Sequence, residues 1–288
     1  MMKNSYRHFI AHGATPANML ENGDNMREKD EIAIINEKHW ERMVEDECGY
    51  TIPWLDLDAD LIRQYARGEL DPVPESLAVM SPCNILADVE GKDVLCLASG
   101  GGQQSAVFGL LGARVTVVDL AQGQIEGDRK AAAHYGYDII TIHADMRDLS
   151  CLDDESFDIV YGTAICYVPD TRQVYSEVAR ILRLGGVFRM DFGQPAVHCM
   201  TWDGDGYRVS KPYFEKIDRR EDGAIEFRHY MDDIFNGLID TGMSIRHVMD
   251  LSRYEKPDSQ ALPGSWAHEA PYIGGHFVIV ATRDHRAF

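Results

Sequence analysis

The sequence predicts an α/β fold: a parallel sheet wound with helices on both faces. Three observations carry this reading. From residue 91, short apolar runs alternate with helical segments, as buried parallel strands and their crossovers do. The first run ends in a glycine cluster that opens a helix, and the runs before and after this stretch follow a different rhythm. The composition agrees, since 288 residues with 45% hydrophobic and 26% charged side chains exclude fibrous, low-complexity and wholly disordered chains. The length fits one large domain or two small ones.

In chain order, residues 1 to about 25 are polar and form an arm. From Glu31 the pattern turns helical, with Ile32, Ile34, Ile35, Trp40 and Met43 as an imperfect stripe. A second helix is expected from Asp58 to about Glu69, carrying Leu61, Ile62 and Tyr65 and closed off by Pro72 and Pro74. Residues 1–90 are thus an N-terminal arm and helical cap, and 91–288 the main domain. Its strands are expected at 94–97, 115–118, 139–142, 157–161 and 187–191. A helix over 171–182 lines up Val174, Val178, Ile181 and Leu182 behind an Asp170 N-cap. Strand, helix and strand repeated this often make a Rossmann-like sheet. A cap insertion interrupts it over about 194–230, where Asp222-Gly223 marks the turn of a β-hairpin between 207–217 and 224–230. A helix at 232–239 and strands at 244–250 and 276–281 complete the sheet, and 252–275 is expected to be a long, lid-like loop.

Twenty-eight Lys and Arg against 47 Asp and Glu give a net charge of -19, which disfavours a broad basic face for nucleic-acid phosphates. More than half of that excess precedes residue 91, so the acidity belongs to the cap and surface. The six cysteines, Cys48, Cys83, Cys96, Cys151, Cys166 and Cys199, form no C-x-x-C pair and are expected as reduced thiols. No apolar run approaches the ~20 residues that span a bilayer, and the first residues lack a signal-peptide core. The expectation is a soluble, cytoplasmic protein with no membrane partner.

The chemistry is concentrated in Val94-Leu95-Cys96-Leu97-Ala98-Ser99-Gly100-Gly101-Gly102-Gln103-Gln104. A buried strand running into glycines and a helix start lets a ligand approach free backbone N–H groups. The dinucleotide fingerprint would want a third glycine or alanine where Ser105 stands, so that pattern is incomplete. Asp119 ends the second strand, where a carboxylate accepts both hydroxyls of a ribose; the plainer alternative is that it caps the next helix through Ala121. Asp145 and Met146 follow the third strand, where an Asp can accept from an adenine amine while its neighbour packs on the ring. Two further segments follow in order, Phe157-Asp158-Ile159-Val160-Tyr161-Gly162-Thr163-Ala164 and Leu182-Arg183-Leu184-Gly185-Gly186-Val187-Phe188.

As a set these segments resemble the class I S-adenosylmethionine-dependent methyltransferases from Gly91 to about Asp191, with reasonable cover to the end. Cys96 stands where that family often has an acidic residue, and Ala98-Ser99 replaces the commoner Gly-Cys; both changes are small and bear on fine contacts rather than the fold. The resemblance implies seven strands, the last antiparallel, with S-adenosylmethionine across the strand tips and S-adenosylhomocysteine as product. It puts Ala98, Ser99, Gly100, Gly101 and Gly102 along the methionine part and Asp119 on the ribose. Leu120 and Gln124 fall on the adenine face, and Asp145 with Met146 at the adenine edge. Gly162 and Thr163 offer carbonyls to the cofactor's amino group, and Gln104 reaches its carboxylate. Aminopropyl transfer, cofactor sensing and an NAD-dependent oxidoreductase are the alternatives.

The acceptor is expected to be a small molecule, methylated on O, N or C. Gly162-Thr163-Ala164-Ile165 lacks the [DNS]-P-P-aromatic signature of many nucleic-acid methyltransferases, and the charge agrees that nucleic acid is not a partner. Tyr161 and Gly162 do not supply the carboxylates of the metal-dependent branch, so no metal is expected. The cap is rich in aromatic residues, which stabilise a sulfonium and exclude water. Among them Trp54, between two helices, is the candidate cofactor lid. Tyr167, His198 and His229 are the candidate general bases. An apolar N-terminal helix is compatible with a homo-oligomer.

Overall fold

The computed structural model describes residues 22–220, 222–254 and 257–284. Most of the arm expected over residues 1–25 lies outside them. Three helices come first, α1 (Asn22–Glu45), α2 (Ala59–Ala66) and the short α3 (Glu75–Ala78). The sheet begins with β1 (Asp93–Leu97), followed by α4 (Gln104–Leu110), β2 (Arg114–Asp119), α5 (Gln122–Tyr135), β3 (Ile139–His143), β4 (Phe157–Gly162), α6 (Thr171–Ile181) and β5 (Leu182–Gly193). The insertion holds β6 (Met200–Trp202), β7 (Tyr207–Val209), β8 (Ile217–Arg219) and β9 (Ile225–Phe227). The chain closes with α7 (Met231–Asp240), β10 (Met243–Asp250), α8 (Trp266–Ile273) and β11 (His276–Arg283).

The seven-stranded sheet has the order β10-β11-β5-β4-β1-β2-β3. β1 to β5 pair in parallel, and β11 runs antiparallel to both β5 and β10. Alternation along each strand divides the core between two faces. Leu95, Leu97, Val160, Phe188 and Met190 pack against Val174, Tyr175 and Val178 of α6 and Ile234 and Leu238 of α7. Val94, Cys96, Val115, Ile159 and Tyr161 pack against Val107 and Phe108 of α4, and there Ile62 and Tyr65 of α2 join the same core. Five parallel strands therefore end on one edge, where an α/β sheet offers its binding crevice.

Local chemistry explains the helices that the sequence marked. The Asp58 carboxylate accepts from the N–H groups of Asp60 (2.7 Å) and Leu61 (3.1 Å) at the start of α2, and Asp170 accepts from Arg172 N–H (2.9 Å) at the start of α6. Three elements differ from expectation. α1 starts at Asn22, ahead of its apolar stripe, because a polar helix turn carries no periodic apolar signal. The expected strand over 207–217 is split: β7 pairs with β6, and only β8 pairs with β9 across the Asp222-Gly223 turn. Pro212 lies in the gap and has no N–H for a ladder. The loop expected over 252–275 contains α8, masked in the sequence by Pro271 in its interior and glycines around it.

Candidate cofactor and acceptor site

A cavity of about 370 Å³, counting space open to solvent, lies at the tips of β1, β2 and β3. Ala98, Asp119, Leu120, Asp145 and Met146 line it, with Arg147, Tyr167 and Val168 along the wall and Ala33 and Asn36 of α1 closing it from outside. The structure thus brings together five of the expected cofactor residues and one expected base, and adds α1.

The glycine loop is built for close approach to α5. Gly102 has φ +84°, and a Cβ there would stand 2.5 Å from the carbonyl oxygen of Gly127. Gly101 N–H donates to Gln124 Oε1 (2.8 Å) and Gly102 N–H to Asp128 Oδ1 (2.8 Å), which also accepts from Ser105 Oγ (2.5 Å). Gln124, expected on the adenine face, therefore faces the loop instead. Burial pushes the Asp128 carboxyl up to about 7 against these hydrogen bonds. Gln124 and Asp128 are one helical turn apart, a spacing that could have flagged the pair.

Other expected contacts resolve differently along the loop. Ala98 has φ +48°, turning the chain away from the sheet. Ser99 Oγ points inward, donating to the carbonyls of Leu97 (3.1 Å) and Tyr161 (2.9 Å). Gln104 is buried, and its Oε1 has no hydrogen-bond partner among the described residues; a Cβ on Gly100 would lie 3.4 Å from it. Thr163 Oγ1 donates to the Ala98 carbonyl and its N–H to Leu97 O (3.2 Å), while Gly162 pairs in register with Leu97. Gly162 and Thr163 thus tie β4 to β1 beneath the loop rather than lining the cavity. Trp54 does not lid it either. Its N–H donates to Gly102 O (3.1 Å), its carbonyl accepts from the Tyr135 hydroxyl (3.0 Å), and its ring packs into the core beside α2 and α4. The segment 49–54 is latched to the loop by backbone, with Gln103 Nε2 donating to Gly49 O (2.8 Å) and Ile52 O (3.0 Å).

Asp119 both caps and faces the cavity. Its Oδ1 accepts from Ala121 N–H (2.8 Å), and burial pushes the carboxyl up to about 6, against hydrogen bonds from the Ala121 and Leu120 backbone. Asp145 is held by Arg147, whose Nε (2.9 and 3.0 Å) and Nη2 (2.5 Å) donate to the carboxylate. α1 is fixed over the cavity by two residues the sequence reading missed. The Asn36 amide donates to Ile225 O (3.0 Å) and Tyr167 O (3.3 Å) and accepts from Ile225 N–H (2.8 Å). The Glu41 carboxylate accepts from Gln122 N–H (2.6 Å) and Gly123 N–H (3.2 Å), capping α5 with charge as well as hydrogen bonds.

The expected bases separate. The Tyr167 hydroxyl donates to Glu226 Oε1 (3.2 Å), and burial together with that carboxylate pushes its phenol up, so it is a donor rather than a base. His229 Nε2 donates to Ile165 O (3.2 Å), and burial pushes the ring down to about 4. His198 sits in the turn Val197–Cys199, outside the cavity, its ring pushed down by burial and its Nε2 3.4 Å from where a Cβ on Gly193 would stand. Glu226, buried between Ile225 and Phe227, was missed, although a Glu within an apolar trio is itself a signal.

Residues 95–190 match the model of a methyltransferase domain family. An uncharacterized methyltransferase of Bacillus subtilis, YbaJ, is 32% identical over 229 residues, covering 74% of this chain and 88% of that protein. A demethylmenaquinone methyltransferase of Clavibacter sepedonicus is 36% identical over 146 residues, 49% of this chain and 58% of its own length. Among solved structures, an S-adenosylmethionine-dependent methyltransferase from Mesorhizobium loti superposes with a TM-score of 0.57 at 22% identity, covering 80% of this chain and all of its own. The geranyl diphosphate C-methyltransferase of Streptomyces coelicolor, solved with Mg2+, geranyl diphosphate and S-adenosylhomocysteine, gives 0.57 at 16% identity over 88% of this chain and 98% of its own. With this sheet and this similarity to YbaJ, the chain belongs to the class I S-adenosylmethionine-dependent methyltransferases.

Proposed function

We propose that this chain methylates a small molecule on O, N or C, with the cofactor in the cavity between the glycine loop and α1 and the acceptor beside Tyr167. The observation that carries the reading is Asp119 and Asp145 on adjacent strand tips of one cavity that starts at Ala98. The donor set fits the cofactor. Asp119 Oδ1 accepts from Ala121 N–H, which leaves lone pairs on the carboxylate for ribose hydroxyls. Asp145 accepts from an adenine amine beside Met146, and the buried, unpartnered Gln104 Oε1, an acceptor, suits a cofactor ammonium group rather than the carboxylate expected from the sequence.

When bound, the cofactor supplies an already activated methyl group, so the protein's work is alignment and exclusion of water. Gly101 and Gly102 hold the loop against α5 through Gln124 and Asp128, so the loop is rigid before binding. α1 covers the ligand through Ala33 and Asn36. The cap role of residues 1–90, a cytoplasmic setting and the exclusion of nucleic acid as substrate belong to the same proposal, supported by the net charge of -19 and by a fold with no described helix long and apolar enough to cross a membrane.

Calorimetric titration tests it. S-adenosylmethionine and S-adenosylhomocysteine are expected to bind saturably, and Asp119→Ala to weaken both by about tenfold or more, the loss of a hydrogen bond to a charged group. Absent saturation, or affinity unchanged in the variant, the reading fails.

A further inference from the structure

We infer that Glu226 is the proton acceptor for the methyl acceptor, and that the acceptor is a neutral or cationic molecule bearing an O–H or N–H, seated on the Tyr167 side of the cofactor cavity within reach of Glu226. The inference rests on the methyltransferase reading and deepens it.

The first ground is an under-used buried carboxylate. Glu226 is 9% exposed on a strand whose three residues are all buried. A carboxylate buried this far is costly unless its lone pairs are occupied. Among the described residues it receives the Tyr167 hydroxyl at 3.2 Å and Arg220 Nη1 at 3.4 Å, both long for charge-assisted bonds. Two long contacts leave room for a further donor on a group with about four acceptor positions.

The second ground is where that carboxylate sits. Tyr167 lines the cofactor cavity, and its hydroxyl touches Glu226. Asn36, from the cavity's outer wall, grips Ile225 next to Glu226 through both backbone groups. The strand that carries Glu226 is therefore fixed to the wall of the cavity.

The third ground is the sign of the surroundings. The Cys166 thiol feels Glu226 and Asp191, the His198 ring feels Glu226 and Asp218, and Glu269 of α8 faces Arg220. Asp191 is engaged by Arg189, and Asp218 by Lys211 at 2.7 Å. Arg220 is shared between Glu226 and Asp222, and Arg228 Nη2 and Nε donate to Glu215 O. Among the described residues Arg228 alone of these cations has no carboxylate partner and keeps its Nη1 without a hydrogen bond, but its guanidinium lies over the rings of Tyr213 and Tyr230. The others are each paired, so a hydroxyl or an amine finds the Glu226 carboxylate waiting.

The step balances. The acceptor's O or N forms a bond to the methyl carbon as the carbon–sulfur bond breaks, the electron pair of that bond returns to sulfur to give a neutral thioether, and the acceptor's proton passes to Glu226.

The test uses the full chain saturated with S-adenosylhomocysteine and ligand-observed NMR with four probes: benzylamine, phenol, toluene and benzoate. Benzylamine and phenol are expected to bind at least about tenfold more tightly than benzoate and toluene. Glu226→Gln is expected to weaken benzylamine about tenfold and leave S-adenosylhomocysteine affinity within about twofold, since Glu226 does not line that cavity. Benzoate binding as well as benzylamine, neither donor binding, or benzylamine unchanged by Glu226→Gln would each overturn the proposal. The wild-type comparison decides even where the variant folds poorly. Failure of S-adenosylhomocysteine to bind the wild-type chain would instead refute the cofactor reading.

Discussion

Asp119 carries a tension that pH exposes. Burial pushes its carboxyl up to about 6, outweighing two backbone hydrogen bonds. Two ribose hydroxyls donate most strongly to the ionised form, because a protonated carboxyl loses its charge and gives up an acceptor position to its own O–H. Affinity for S-adenosylhomocysteine is therefore expected to be flat above pH ~7 and to fall as pH drops through 6, approaching about tenfold per unit. Asp119→Asn should bind more weakly and lose that slope, which calorimetry at several pH values reads directly. The stability sign is the reverse: a carboxyl raised on folding stabilises below its ordinary range, and the contribution is lost as pH rises through the folded value. The ligand-free wild type should thus lose stability relative to Asp119→Asn between pH 4 and pH ~7. Asp128, raised to about 7, behaves differently on substitution. Asparagine keeps an oxygen for Gly102 N–H and Ser105 Oγ, so Asp128→Asn should cost under about 1 kcal/mol in urea unfolding. Asp128→Ala strands two buried donors and should cost about 2–4 kcal/mol.

The glycine loop and α5 work as one element pair, and the sequence shows half of it. Gly100 to Gly102 stand out as a cluster, but Gly127, against which Gly102 packs, sits unremarked in a helix. Gly102→Ala must hold a positive φ and move Gly127 O from 2.5 Å, so about 2–4 kcal/mol of destabilisation is expected. Gly136→Ala is the control: its φ is +75°, but a Cβ there meets nothing within 4 Å, and the cost should stay near 1 kcal/mol. Urea unfolding midpoints of the two variants separate clash from backbone strain. The same contrast explains what could be foreseen. β1 to β5 and α6 were legible because each carries a local signal, a buried run ending in a turn or an aspartate cap ahead of a four-residue stripe. β6 to β9 have three residues each, too few for alternation to register, and their partners are chosen by packing. Trp54 misled for a related reason: an aromatic between helices reads as a lid, yet its backbone is what the loop uses.

At the scale of the whole molecule, the cavity is made by residues far apart in the chain, 33 and 36, 98, 118–120, 144–147 and 167–168. Strand-tip residues are foreseeable because a parallel sheet gathers its tips on one edge. The α1 residues are not, since nothing local in Asn36 or Glu41 says which surface a charged helix will cover. That surface is now defined: Glu41 caps α5, and Asn36 joins α1 to β9 and to Tyr167. One helix thus bridges the cofactor-binding half of the molecule and the inserted hairpin that carries Glu226. A ligand under α1 should stabilise both ends of that bridge, so S-adenosylhomocysteine is expected to slow hydrogen exchange at residues 32–44 and also at 225–227, which do not line the cavity. Asn36→Ala removes the joint and leaves the buried Ile225 N–H and carbonyl without it, at an expected cost of about 2–3 kcal/mol. In that variant protection should still rise at the glycine loop but no longer at 225–227, and S-adenosylhomocysteine should leave about tenfold faster in stopped-flow displacement. If 225–227 stay coupled to the ligand without Asn36, the hairpin is held by the sheet alone and α1 is a passive cover.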